Sequence, residues 1–148
     1  MNKGFTLIEL VVVMAVVAIL SGLILYSVTQ YIAKGQDSNV YGNLVILIPA
    51  GEAYYNNSSY NGFCGSAVIT NAITQMPENA THSCAGANSA PSNSVGLCCY
   101  VSSDGNSWAA YARKFADTSF VYCVDSRGVK KEVDYANRSS ISTNFKCP

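Results

Sequence analysis

The chain has 148 residues, nine basic against nine acidic, with charged residues at 12% and hydrophobic ones at 49%. A balanced, charge-poor chain offers little to a phosphate backbone, so composition makes no case for nucleic-acid binding; a local patch at Arg127, Lys130 and Lys131 is the one place where such contact stays open. Once about fifty residues go to one long helix, roughly ninety remain, enough for one modest core but not for two domains.

From Leu10 through Ala33 no Asp, Glu, Lys or Arg occurs. As a helix rising about 1.5 Å per residue, that stretch reaches roughly 36 Å, more than a hydrocarbon core of about 30 Å. It can span a bilayer, with Lys3 as the cytoplasmic charge that orients it. Glu9 sits at its start, and a carboxylate in such a span costs a few kcal/mol unless it meets a partner, which makes it a functional residue by default. In an ordinary secretory signal the small-residue cleavage site follows the apolar core, which is then discarded. Here Gly4 precedes it. Cleavage between Gly4 and Phe5 keeps the helix and creates an amine four residues from Glu9. A plain signal anchor with a chance glutamate is the alternative, and it gives no reason for this order of residues.

Gly4-Phe5-Thr6-Leu7-Ile8-Glu9 followed by an apolar segment resembles the processing motif of type IV pilins and their pseudopilin relatives. The close likeness covers about residues 1–35, and the remainder agrees in layout only. The resemblance implies a leader at 1–4 and an inner-membrane prepilin peptidase that cuts between Gly4 and Phe5 and methylates the Phe5 amine. It implies further that Glu9 pairs with the Phe5 amine of a neighbouring subunit as a helical filament grows. The partners that follow are more copies of the chain, the peptidase, an assembly platform with its ATPase, and the membrane that holds the single-pass precursor before it joins a surface fimbrium. The leading reading is a major pilin serving adhesion, motility or DNA uptake. Its competitors are a pseudopilin or minor pilin of a type II secretion or DNA-uptake machine, and a membrane-anchored extracellular binding module that never polymerises.

Residues 5–33 form the membrane and filament-core half of the long helix, and 34–55 its continuation, with Val40, Leu44, Leu47 and Ile48, then Tyr54 and Tyr55, at helical spacing. Pro49 lacks a backbone N–H and crowds the carbonyl four residues earlier, which predicts a bend there or a break just before it. Gly22 is a second weak point, since a helix-interior glycine costs about 1 kcal/mol relative to alanine. The head occupies 56–148. Residues 56–61 read as a loop, and 66–76 as a short helix with Ser66 as cap. Residues 78–94 read as an exposed connection; the sequons at Asn56, Asn57, Asn79 and Asn137 are of a kind that arises often by chance. Strands are predicted at 95–102, 107–114, 119–125 and 129–135, separated by turn residues such as Asp104-Gly105-Asn106 and Ser126-Arg127-Gly128. The predicted fold is α+β: a long helix packed on an antiparallel meander, one face on the helix and the other partly wet. Trp108 belongs to its small core.

Cys64, Cys84, Cys98, Cys99, Cys123 and Cys147 all lie in the head. An even count in an exported domain reads as three disulfides, with connectivity open. Cys98 and Cys99, adjacent in a strand, point to opposite faces and need different partners. Cys147 pins the C-terminal tail. A zinc site at His82, Cys84 and the Cys98-Cys99 pair is the alternative, and its spacing fits poorly with the usual Cys-x₂₋₄-Cys ligand pairs. With one histidine, no Cys-x-x-Cys, no Gly-x-Ser-x-Gly and no framed pair of carboxylates, no catalytic constellation is visible and no cofactor is expected.

Overall fold

The computed structural model describes residues 4–55, 58–77, 84 and 97–148. The sequons at Asn56, Asn57 and Asn79, His82 and most of the 78–94 connection lie outside them. Helix α1 runs without interruption over Leu7–Tyr54. It is followed by a 3₁₀ turn at Phe63–Gly65, helix α2 (Ala67–Gln75), strands β1 (Leu97–Val101), β2 (Trp108–Arg113), β3 (Phe120–Asp125) and β4 (Lys130–Asp134), a second 3₁₀ turn at Tyr135–Asn137, and helix α3 (Ser139–Asn144). The strands form one antiparallel sheet in the order β1-β2-β3-β4, with Cys99 opposite Ala110, Ala110 opposite Val124, and Tyr122 opposite Glu132. This is an α+β layout, a long apolar helix with a four-stranded antiparallel sheet and three disulfides, consistent with the fold that the resemblance implies.

The helix does not break before Pro49. Pro49 sits on the exposed side of α1, where the carbonyl it deprives of a donor, that of Val45, is only half-buried. Leu47 and Gly51 on the opposite side are buried against the head, and this packing carries the last turn past the proline. Helicity also continues through Gly22, where an added Cβ would meet nothing within 4 Å, so the subunit's own packing does not require glycine there.

Two cores lie on the two faces of the sheet. Val40, Leu44 and Leu47 of α1, Phe63, Ile69 and Ile73 pack on Leu97, Cys99, Trp108, Ala110 and Val124. Asp37, buried on α1, locks the same face by accepting from the backbone N–H groups of Phe115 (2.6 Å) and Ala116 (3.2 Å), so the β2–β3 turn is tied to the helix. The opposite face is dry, contrary to the sequence-based expectation. Val121 and Cys123 are buried there beneath Ile141, Phe145 and Cys147, while Phe120 and Tyr122 on the helix side remain partly exposed. The cover is a C-terminal strap, residues 135–148, whose polar composition hides its role in the sequence. Ser66 stands at the start of α2 but makes no capping bond through its side chain.

Trp108 is fully buried, 4.9 Å ring to ring from Phe63, and it sits directly under Gly51. A Cβ at Gly51 would fall 2.6 Å from the indole Nε1 and 2.9 Å from Cε2 and Cζ2, so glycine is what lets the ring touch the helix backbone. A β-branched residue there gains only a few tenths of a kcal/mol in helix propensity over glycine, about a tenth of what the overlap costs. Gly51→Val is therefore expected to lower head stability by about 2–3 kcal/mol. Denaturant unfolding followed by Trp108 fluorescence, the chain's only tryptophan, measures it. A change under about 0.5 kcal/mol would show that the ring has room to move.

The sheet also sorts the cysteines. Cys99 faces α1 and is bonded to Cys64, whereas Cys98 faces the other way and is bonded to Cys84. The third bridge, Cys123–Cys147, ties the strap to β3.

Candidate assembly site

Thr6 caps α1 in an extended conformation (φ −83°, ψ 148°) and forms a reciprocal box with Glu9. Thr6 N and Thr6 Oγ1 donate to Glu9 Oε2 at 2.9 and 2.6 Å, and Glu9 N donates back to Thr6 Oγ1 at 3.4 Å. Such a box satisfies donors that a helix start leaves without partners, and an acid in the first turn also suits the positive end of the helix dipole. One carboxylate oxygen therefore faces Thr6, while Oε1 accepts no hydrogen bond among the described residues. The sequence reading missed Thr6. Its signal was Thr-x-x-Glu ahead of an apolar run.

Around this carboxylate the surface is apolar. Phe5, Ile8, Val12 and Val13 line a shallow groove with Glu9, and Phe5 itself is 80% exposed. Every residue from Gly4 through Ile32 is exposed, although most are large hydrophobics. Burial against the head begins only at Asp37. The hydroxyls of three small polar side chains within the span turn inward on their own helix: Ser21 Oγ donates to Val17 O (2.8 Å), Ser27 Oγ to Leu23 O (3.3 Å) and Thr29 Oγ1 to Tyr26 O (2.9 Å). With those donors occupied, α1 is the one helix among the described residues long and apolar enough to cross a membrane, and its lateral surface between residues 10 and 33 carries no charge.

Residues 1–25 match the family model of the prokaryotic N-terminal methylation motif. The match supports a type IV pilin-like precursor. No curated protein and no solved structure matches the chain. The motif supports a pilin-like or pseudopilin-like protein and implies processing by a prepilin peptidase. With the apolar helix behind it, it fits a membrane-anchored precursor. In pilin-like terms Gly4 and Phe5 flank the processing position, and both stand exposed before the helix start.

The head contributes a different kind of site. Asp125, fully buried at the end of β3, accepts on Oδ1 from Arg127 N (3.0 Å) and Val129 N (3.2 Å), and on Oδ2 from Arg127 Nε (3.1 Å), Arg127 Nη2 (2.5 Å) and Cys147 N (2.9 Å). Arg127 Nη2 also donates to Cys147 O at 3.0 Å. The positive φ of Gly128 (76°) lets the chain reverse tightly enough to bring all of these donors to one carboxylate. Arg127 is thereby removed from the basic patch that the sequence suggested with Lys130 and Lys131.

Proposed function

We propose that the chain is the major structural subunit of a surface type IV pilus, serving adhesion, motility or DNA uptake. It is cut between Gly4 and Phe5, methylated on the Phe5 amine, and built into a helical filament through residues 5–33. Residues 34–55 carry the head, 56–148, on the fibre's outer side. One observation carries this reading: an uncharged, exposed apolar helix surface begins at a single carboxylate placed beside the processing position. Outside lipid that surface needs cover, and the same helix from other copies supplies it through a heterologous contact that does not close into a ring. Glu9, with Oε1 left over by the Thr6 box, takes the Phe5 amine of the next subunit and sets axial register. Six cysteines favour a fibre exposed to the exterior over a pseudopilin.

Electron microscopy of fibres sheared from the cell, with intact-mass analysis of their main component, tests it. The expected subunit starts at Phe5 and carries one added methyl group. A subunit in fibres that retains Met1-Asn2-Lys3-Gly4 contradicts the processing. Fibres built of another protein with this chain as a trace component would make it a minor pilin or pseudopilin. Mature chain confined to the membrane, with no fibres, would make it an anchored module.

A further inference from the structure

Two arginines on the strap side of the sheet converge on one ring. Arg113 at the end of β2 and Arg138 just before α3 place their guanidinium carbons 4.6 and 3.9 Å from the centroid of Tyr135. A guanidinium has five N–H donors in a rigid fork. Each of these uses one on a backbone carbonyl, Arg113 Nε to Thr118 O (3.2 Å) and Arg138 Nη1 to Tyr135 O (2.8 Å). Those bonds fix the planes, and Tyr135 is itself fixed by donating its backbone N–H to Ser119 O at 2.7 Å. Both arginines are half-buried.

Neither forms an ion pair among the described residues; the carboxylates paired there are Glu132, with Lys114, and Asp125, with Arg127. The one acidic side chain outside the described residues is Glu78. A ring face attracts each cation by about 0.5–2 kcal/mol without neutralising it, and two like charges held at one ring repel. Among the described residues the two guanidinium groups are therefore a doubly positive, pre-oriented set of donors without a paired carboxylate. A phosphate-class oxyanion supplies two negative charges and acceptor oxygens that suit two guanidinium forks.

We propose that Arg113 and Arg138, held on Tyr135, form a binding site for a phosphate-class oxyanion, free or as a monoester, on the outer face of the head. The site does not depend on the filament reading, since it uses only residues of the folded head.

Isothermal titration of the detergent-solubilised full chain with inorganic phosphate, and in a second arm with glycerol 3-phosphate, at constant ionic strength tests this. Saturable binding at about one equivalent is expected in at least one arm, and the tighter arm assigns the source. Arg113→Gln is expected to weaken it about tenfold or more, because a charge-assisted hydrogen bond is lost. Arg138→Gln should do the same and decides the matter if Arg113→Gln fails to fold. Lys130→Gln, which removes an exposed cation elsewhere, should change affinity less than about twofold, within the small effect of a screened surface charge. Absence of saturable binding in both arms overturns the proposal. So does an equal loss from Lys130→Gln, which would mean general attraction by the head.

Discussion

Glu9→Val is expected to leave processing intact and abolish filaments, with mature subunit accumulating in the membrane. The carboxylate has two duties, and they separate by substitution. As an acceptor it completes the Thr6 box, worth about 1 kcal/mol as helix capping goes. As a charge, under the filament reading, it offers Oε1 to the incoming Phe5 amine. Removing one partner of a buried pair leaves the other uncompensated, at a cost of about 3–5 kcal/mol per docking event. Glu9→Gln keeps a capping acceptor and loses the charge, so it should fail almost as completely as Glu9→Val. Thr6→Ala keeps the charge and loses the cap, so it should reduce filament yield mildly. Glu9→Asp, one methylene shorter, should assemble poorly. Each variant is expressed with the wild-type assembly machinery, and surface filaments are compared with mature subunit retained in the membrane. Abundant filaments from Glu9→Gln would reduce the carboxylate to a helix cap.

The second large effect is expected at Asp125. Its side chain, itself fully buried, gathers the backbone N–H groups of Arg127, Val129 and Cys147 together with the half-exposed Arg127 guanidinium. Asp125→Ala leaves the buried backbone donors of Arg127, Val129 and Cys147 unmatched, while the half-exposed Arg127 guanidinium keeps Cys147 O and turns to water, so about 2–4 kcal/mol of head stability should go with the change. Asp125→Asn should lose about half as much, because its amide oxygen still accepts from Arg127 N and Val129 N while its NH₂ faces the Cys147 N–H and the guanidinium. Opening the Cys123–Cys147 bridge by a double Cys→Ser change should cost about 3–4 kcal/mol, given the 24-residue separation it closes. Both changes free the same strap, so combining them should cost less than their sum. Denaturant unfolding of the four proteins gives the cycle, with protease cleavage between Asn137 and Phe145 as a local readout. A loss under about 1 kcal/mol in Asp125→Ala would show that the disulfide holds the strap without help.

The sequence and the structure part where tertiary contact overrides local pattern. The four strands follow from alternation and turn chemistry, since Phe120 to Asp125 already separate into two faces. The dry second face does not follow, because Asn137-Arg138-Ser139-Ser140-Ile141-Ser142 looks like loop and only Ile141 inserts under the sheet. Of the bend or break that Pro49 predicts in an isolated helix, the break is absent because Leu47 and Gly51 on the buried side hold the last turn against the head. Asp37 had no legible role, since the amides it binds lie 78 and 79 residues away. In the candidate assembly site, Gly4, Phe5 and Glu9 are legible as a local motif, and Thr6 is legible too, through the Thr-x-x-Glu capping pattern. The Arg113–Tyr135–Arg138 cluster is not, because β2 and the strap meet only after the chain folds.

The inward-turned hydroxyls of Ser21, Ser27 and Thr29 bear on the direction of assembly. With those groups occupied inside the helix, α1 between Leu10 and Leu25 presents nearly the same hydrocarbon exterior to lipid tails and to neighbouring helices, and polar groups return to its surface only at Tyr26, Gln30 and Tyr31. Between two such surroundings the hydrophobic effect has almost no preference, since lipid is as apolar as leucine. Under the filament reading, membrane and fibre are then two nearly isoenergetic reservoirs for this segment, and exchange of Glu9's partner is the chief chemical change on passing from one to the other. A subunit so balanced can travel in either direction, and the sense of traffic belongs to whatever motor acts on it.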